Sequence, residues 1–145
     1  SDANFGGSSV ASVAVACHEA GHAVQRQRGF AMYRLRTALV PVVSAAESLW
    51  TVVLLAGVFL NAFGLVKVAI ALYAATVLFS LVTLPVEIDA SRRAVAFLRD
   101  RGAGLDQRGA RQVLVAAALT YVASALVSVI QLVYLLQRYA NREER

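Results

Sequence analysis

Ser48–Val66, SLWTVVLLAGVFLNAFGLV, runs for 19 residues without a charge, and after Lys67 the stretch Val68–Val86, VAIALYAATVLFSLVTLPV, continues for another 19. As a helix rising about 1.5 Å per residue, each is long enough to cross the roughly 30 Å hydrocarbon core of a bilayer. Read as one helix the pair would reach about 57 Å, far too long for one bilayer. A reversal is therefore expected near Asn61-Ala62-Phe63-Gly64, making a transmembrane hairpin whose turn shortens both spans slightly. Val113–Leu136 is a third uncharged run, 24 residues long, which either spans with tilt or begins in the interface. Ala74-Ala75 and Ala116-Ala117-Ala118 suit close helix packing in lipid. A buried bundle in a soluble protein is the plainer reading, and the length and lack of charge of these runs oppose it.

Composition agrees. The 145 residues suffice for one domain, with 59% hydrophobic and 16% charged residues, against about 45–50% and 25% in soluble domains. That excess of apolar surface must face lipid. The net charge of +5 does not indicate nucleic acid, because the arginines flank apolar runs without forming a basic stripe interleaved with aromatics. They read instead as topology signals. Arg26, Arg28, Arg34, Arg36, Arg92, Arg93, Arg99, Arg101, Arg108 and Arg111 lie on one side of the expected spans. Lys67, Arg138, Arg142 and Arg145 lie on the other, and ten against four puts the first group in the cytoplasm. Cys17, the single cysteine, excludes an internal disulfide. The opening Ser1-Asp2-Ala3-Asn4-Phe5 has no initiator Met, basic n-region or signal-peptide core, and reads as a chain lacking its natural start.

Upstream of the hairpin, Ser8 or Ser9 is placed to cap a helix from Val10 to about Arg28, which Gly29 stops. Val10, Val13, Cys17, Ala20, Gly21 and Val24 give it a small apolar face. Residues 30–47, with Arg34, Arg36 and Pro41, read as a connection. Glu87 to Arg111 is polar again, with a helix to Leu98 and a turn around Gly102-Ala103-Gly104. The tail from Gln137 is charged, and no internal repeat is found. The expected fold is all-α: one multi-pass membrane domain over residues 1–145. It comprises a metal-motif helix at 9–29, transmembrane helices at 48–66, 68–86 and 113–136, and a polar helix between the last two.

Within the first helix, Cys17-His18-Glu19-Ala20-Gly21-His22-Ala23 contains the pattern HExxH. Residues i and i+4 share a helical face, so His18 and His22 can bind one tetrahedral Zn²⁺. Glu19 beside them has the reach of a general base for a metal-activated water, the chemistry that amide hydrolysis needs. His18 and His22 are the two histidines of the chain. The bland alternative is an ordinary helix with two surface histidines. A catalytic zinc takes a third protein ligand and keeps one open position. With no other histidine, that ligand is a carboxylate or Cys17, and Cys17 points to a different helical face. Glu47, Glu87, Asp89, Asp100 and Asp106 are all on the compatible side. Glu87 is favoured, because the hairpin returns the chain to the site's side of the membrane at about Pro85. A carboxylate at the membrane boundary is expensive unless paired or bound to metal. The alternative is that Glu87 only marks the interface or pairs with Arg92 or Arg93. Asp89 is a candidate to accept a ring N–H from a ligating histidine, or an alternative ligand.

Ser9–Gln25, SVASVAVACHEAGHAVQ, resembles the signature of the YugP-like neutral zinc metallopeptidases of bacterial membranes. Leu84–Ala94, LPVEIDASRRA, is similar to that family's second strong motif, and Ala117–Ala123, AALTYVA, to its last apolar helix. The resemblance covers nearly the whole chain. It implies His18 and His22 as ligands, Glu19 as base, Glu87 as third ligand and Zn²⁺ as cofactor, in the bacterial inner membrane. Membrane gluzincins often carry Glu-x-x-Ala-Asp at the third ligand, and Glu87-Ile88-Asp89-Ala90-Ser91 is similar. Ser91 stands in place of the Asp, which puts a supporting role for that position in doubt. The family also carries a longer segment, with a membrane anchor, before the signature. In zincins generally, upstream strands grip the substrate by strand addition. No such strands precede the helix here, so the chain is expected to hold the metal centre without that gripping surface.

The leading expectation is a zinc-dependent membrane endopeptidase acting on a peptide or membrane-protein substrate. Its partners would be membrane lipid and the missing N-terminal segment or a second copy of the chain, with no nucleic acid. Tyr33, Tyr121 and Arg92 are candidate oxyanion stabilisers. The alternative is a membrane scaffold or adaptor holding a structural zinc. Such sites are usually closed by four protein ligands, and they have no use for Glu19. A metal transporter ranks last, because the three runs contain no ionisable residue of the kind that lines an ion pathway.

Overall fold

Ser9 and Gly29 fix the first helix, α1 (Val10–Gln27), in the computed structural model, which describes residues 9–101 and 106–139. Ser9 has extended dihedrals, φ −72° and ψ 151°, and its Oγ accepts from the Ser12 N–H at 3.2 Å, satisfying a donor the helix leaves open. Ser9 is thus the cap, and Ser8 lies outside the described residues. At the other end Gly29 turns left-handed at φ 65°. Its N–H donates to the Arg26 carbonyl at 3.2 Å, and the Phe30 N–H donates to the Gln25 carbonyl at 3.0 Å. These two bonds make a Schellman closure. A Cβ on Gly29 would touch nothing within 4 Å, so its conformation alone demands glycine. Gly29→Ala is expected to lower stability by about 1 kcal/mol, seen as a lower thermal midpoint in detergent. An unchanged midpoint would contradict this account of the helix end.

Three longer helices follow: α2 (Ala31–Phe59), α3 (Phe63–Arg101) and α4 (Gln107–Tyr139). The described residues are otherwise turns and contain no strand. The fold is all-α, and α2, α3 and α4 are each long and apolar enough to cross a membrane. Several expected boundaries are corrected. Residues 31–47 are not a connection but the first part of α2, which runs through Pro41. Arg34 and Arg36 change the polarity of the surface without interrupting backbone hydrogen bonding. Pro41 withholds one N–H, a loss tolerated where neighbouring groups re-satisfy the backbone. The reversal falls at Leu60-Asn61-Ala62, with Asn61 left-handed at φ 51°. Asn61 N–H donates to the Val58 carbonyl at 3.3 Å and Ala62 N–H to the Gly57 carbonyl at 2.9 Å, the same closure with Asn in the glycine position. Phe63 to Val66 therefore belong to the returning helix. The separate polar helix after Val86 is also corrected: α3 continues through Pro85 to Arg101. The turn expected at Gly102-Ala103-Gly104 lies outside the described residues, as does the tail from Ala140.

Two compact units are distinguished along the chain. Of the described residues, the first holds 9–34 and 83–122: α1, the start of α2, the second part of α3 and the first part of α4. Its core packs Ala14, Ala94, Leu98, Ala110 and Leu114, with Val10, Val13, Cys17, Val95 and Val113 around them. Three alanines at the centre bring these helices close together. The Asp106 carboxylate accepts the Gly109 N–H at 2.9 Å and starts α4. The second unit, 35–82 and 123–139, has its core at Val66, Ile70, Tyr73, Val77 and Leu135. There the Trp50 and Tyr73 rings lie 4.6 Å apart, and a Cβ on Gly57 would come within 2.9 Å of the Val66 backbone nitrogen. Large apolar side chains such as Val52, Phe59, Leu60, Leu119, Val127 and Ile130 are exposed. An array of that extent suits a lipid solvent rather than water.

Candidate metal centre

One helical turn of α1 carries His18 and His22, which lean together with ring centroids 4.7 Å apart and planes at 88°. α3 brings Glu87 against them, its side chain 2% exposed. Glu87 Oε2 lies 3.0 Å from His18 Nε2 and 3.6 Å from His22 Nε2. A tetrahedral zinc with bonds of about 2.0–2.1 Å holds its ligand atoms about 3.3 Å apart, and the two observed distances bracket that value. His18, His22 and Glu87 have donor atoms all within 4.8 Å of one another, and among the described residues this is the group of His, Cys, Asp and Glu that could hold a metal. The residues present fit a zinc ion.

The outward ring nitrogens are also occupied. His18 Nδ1 is 3.2 Å from Ser91 Oγ, one turn after Glu87 on the same face of α3. His22 Nδ1 is 2.9 Å from Gln25 Oε1. Gln25 is fully buried, and its amide nitrogen donates to the Val86 carbonyl and to Asp89 Oδ2, each at 2.8 Å. Asp89 also accepts from Arg93 Nε at 2.7 Å. Hydrogen bonds of this kind fix the orientation of each ring.

The seam between the helices is tight. A Cβ on Gly21 would stand 2.6 Å from the Ala90 carbonyl oxygen. Gly21 lies between the two histidines in sequence, so the motif's small residue is what allows α1 to approach α3 closely.

Of the residues singled out from sequence, His18, His22 and Glu87 are thus brought together. Asp89 meets Gln25 and Arg93 rather than a ring nitrogen, so its link to His22 is indirect. Arg93 is engaged by Asp89. Asp100 pairs with Arg99 at 3.2 Å, and Asp106 caps α4. Glu19 is exposed on α1 directly after His18. Tyr33, in the first turn of α2, has its ring 6.1 Å from that of His22. Tyr121 is exposed on α4, and Arg92 lines an apolar groove with Arg111 between α3 and α4. Cys17 packs against the core of the first unit, and burial pushes its thiol pKa up, away from the thiolate a metal needs. Two contributors escaped the sequence reading. Gln25 stands three residues after His22, the spacing of neighbours on one helical face, and that was the available signal. Ser91, doubted because it is not an Asp, still offers its hydroxyl to His18.

His18 and His22 of α1 and the buried carboxylate of Glu87 from α3 form a candidate metal centre on an all-helical scaffold. The chain belongs to the family described as "Putative neutral zinc metallopeptidase", whose sequence profile matches residues 1–140. It is 39% identical over 137 residues to the "Putative membrane protease YugP" of Bacillus subtilis (strain 168). That match covers 93% of this chain and 61% of the relative's length. No solved structure matches the chain.

Proposed function

We propose that the chain carries the metal centre of a zinc-dependent membrane endopeptidase, with His18, His22 and Glu87 as ligands. The observation that supports this most is the convergence of both Nε2 atoms on one buried carboxylate oxygen while both Nδ1 atoms are engaged elsewhere. Three protein donors leave one position for water, as a catalytic site requires. A zinc ion there supplies Lewis-acid polarisation of a carbonyl and lowers the pKa of water towards neutrality. Glu19 takes the proton of the attacking water and hands it to the amine nitrogen that leaves as the C–N bond breaks. Tyr33, beside His22, is the phenol in reach to steady the developing oxyanion. The substrate is a peptide or a membrane protein, and the arginine count puts the site on the cytoplasmic side of the inner membrane. Membrane lipid, a further segment such as the part of the relative that this chain does not cover, or a second copy of the chain would complete the surface that holds substrate.

The test compares wild type with Glu19→Gln in lipid vesicles, measuring zinc content and zinc-dependent cleavage of an unstructured protein. Glu19→Gln is expected to keep its zinc and lose about 10²–10⁴-fold in rate. Zinc bound by wild type without any cleavage, and no effect of Glu19→Gln, would favour a scaffold with a structural zinc. Absence of zinc binding in wild type would remove the reading altogether.

A further inference from the structure

Gln25 is completely buried, and its amide has a single workable orientation. The side-chain nitrogen faces two groups that only accept, the Val86 carbonyl and the Asp89 carboxylate, each at 2.8 Å. Turning the amide over would set its oxygen against both of them. With the nitrogen fixed there, the oxygen must be the atom 2.9 Å from His22 Nδ1. An amide oxygen only accepts, so His22 must carry its proton on Nδ1. Nε2 is then the bare nitrogen, and it is the one that faces Glu87 Oε2.

We propose that Gln25 is the positioning residue that sets the tautomer of His22, and that Asp89 acts through it by holding the amide in place. This rests on the zinc reading of the site. The relay runs Arg93 to Asp89 to Gln25 to His22, from α3 to α1. Arg93 Nε, 2.7 Å from Asp89, keeps that carboxylate an ionised acceptor. The Gln25 backbone is held as well, since its carbonyl takes the Phe30 N–H in the closure of α1. The neutral amide orients the imidazole without adding a second negative charge beside the buried Glu87. Because Val86 directly precedes Glu87, one side chain ties the third ligand's backbone to the second histidine.

The experiment uses the full chain in detergent micelles with nitrogen-15-labelled histidine, which gives two assignable rings because the chain has two histidines. In the metal-free wild type, His22 is expected to show protonated Nδ1 and bare Nε2. Gln25→Leu keeps the volume and removes the acceptor, so His22 is expected to populate both tautomers and zinc affinity to fall about 10–100-fold. Gln25→Glu turns a carboxylate onto Asp89 and the Val86 carbonyl, and is expected to lose zinc affinity similarly. Adding Asp89→Asn to it supplies an amide donor and is expected to recover most of that loss. A residue that only filled space would leave the tautomer unmoved in Gln25→Leu and would give no recovery in the double variant. Unchanged tautomer and affinity in Gln25→Leu, or no recovery in the double variant, overturns the proposal. If wild type binds no zinc, the zinc reading fails on its own, and the metal-free tautomers still decide the role of Gln25.

Discussion

Glu87→Ala is expected to lose zinc altogether at concentrations that saturate wild type, with the four helices still formed. Removing one of three donors leaves two neutral imidazoles and no anionic ligand. The loss should exceed the roughly 10–100-fold cost of disturbing an outer-sphere partner. Stability supplies the second readout. Zinc at about one hundred times its Kd stabilises a folded protein that binds it by about 2.7 kcal/mol. Wild type should therefore melt higher with zinc added, and Glu87→Ala should not respond. Glu87→Gln separates metal from folding, because it keeps the shape and removes the charge. Without metal the buried Glu87 carboxylate is paired with His18 at 3.0 Å, and a glutamine carbonyl oxygen can accept the same hydrogen bond. The metal-free Gln variant should accordingly stay folded, losing only about 1 kcal/mol as a charge-assisted hydrogen bond becomes a neutral one, while binding zinc far more weakly. Full zinc occupancy in Glu87→Ala would remove this residue from the ligand set.

The closeness of His18 and His22 was legible in the sequence because it is local. Two imidazoles four residues apart share a helical face whatever the rest of the fold does. Glu87 was reachable through one further step, the reversal that two uncharged runs demand. Gln25 and Ser91 were not reachable in that way. Both are ordinary polar residues whose value comes from the atoms opposite them on another helix, and no spacing rule names those atoms. Asp89 shows the same limit from the other side. It lies two residues from Glu87, about 200° around the helix, and meets Gln25 at 2.8 Å rather than a ring nitrogen.

The helix boundaries failed for a related reason. Charge at residues 30–47 and again after Val86 does not end a helix, and α2 and α3 run through both. Charged residues report where lipid gives way to water, and backbone hydrogen bonding continues across that border at little cost. What does end α1 and α2 is conformational: the left-handed Gly29 and Asn61. The glycine was read correctly as a stop. Asn61 lies within the expected turn, whereas Phe63 and Gly64 belong to α3.

The same seam makes Gly21→Ala a severe substitution despite its size. In an isolated helix alanine is better than glycine by about 1 kcal/mol, so propensity alone predicts a gain. The added Cβ, however, would stand 2.6 Å from the Ala90 oxygen, 3.1 Å from its Cα and 3.2 Å from its carbonyl carbon. All three are backbone atoms, and none can rotate away, so α1 must move off α3. Among the contacts that cross here are His18 to Glu87 at 3.0 Å and Gln25 to Val86 at 2.8 Å, both near Gly21. A separation of even about 0.5 Å exceeds what a functional site tolerates. Overpacking costs about 1–3 kcal/mol, so the net expectation is a loss of up to about 2 kcal/mol after the propensity gain. Zinc affinity should fall at least about tenfold, because ligands from both helices must meet within bonding distance. Ala20→Gly, on the exposed neighbour, is the control: it should cost helix stability and leave zinc affinity alone. Wild-type zinc affinity in Gly21→Ala would mean that the approach of α1 to α3 does not govern the metal centre.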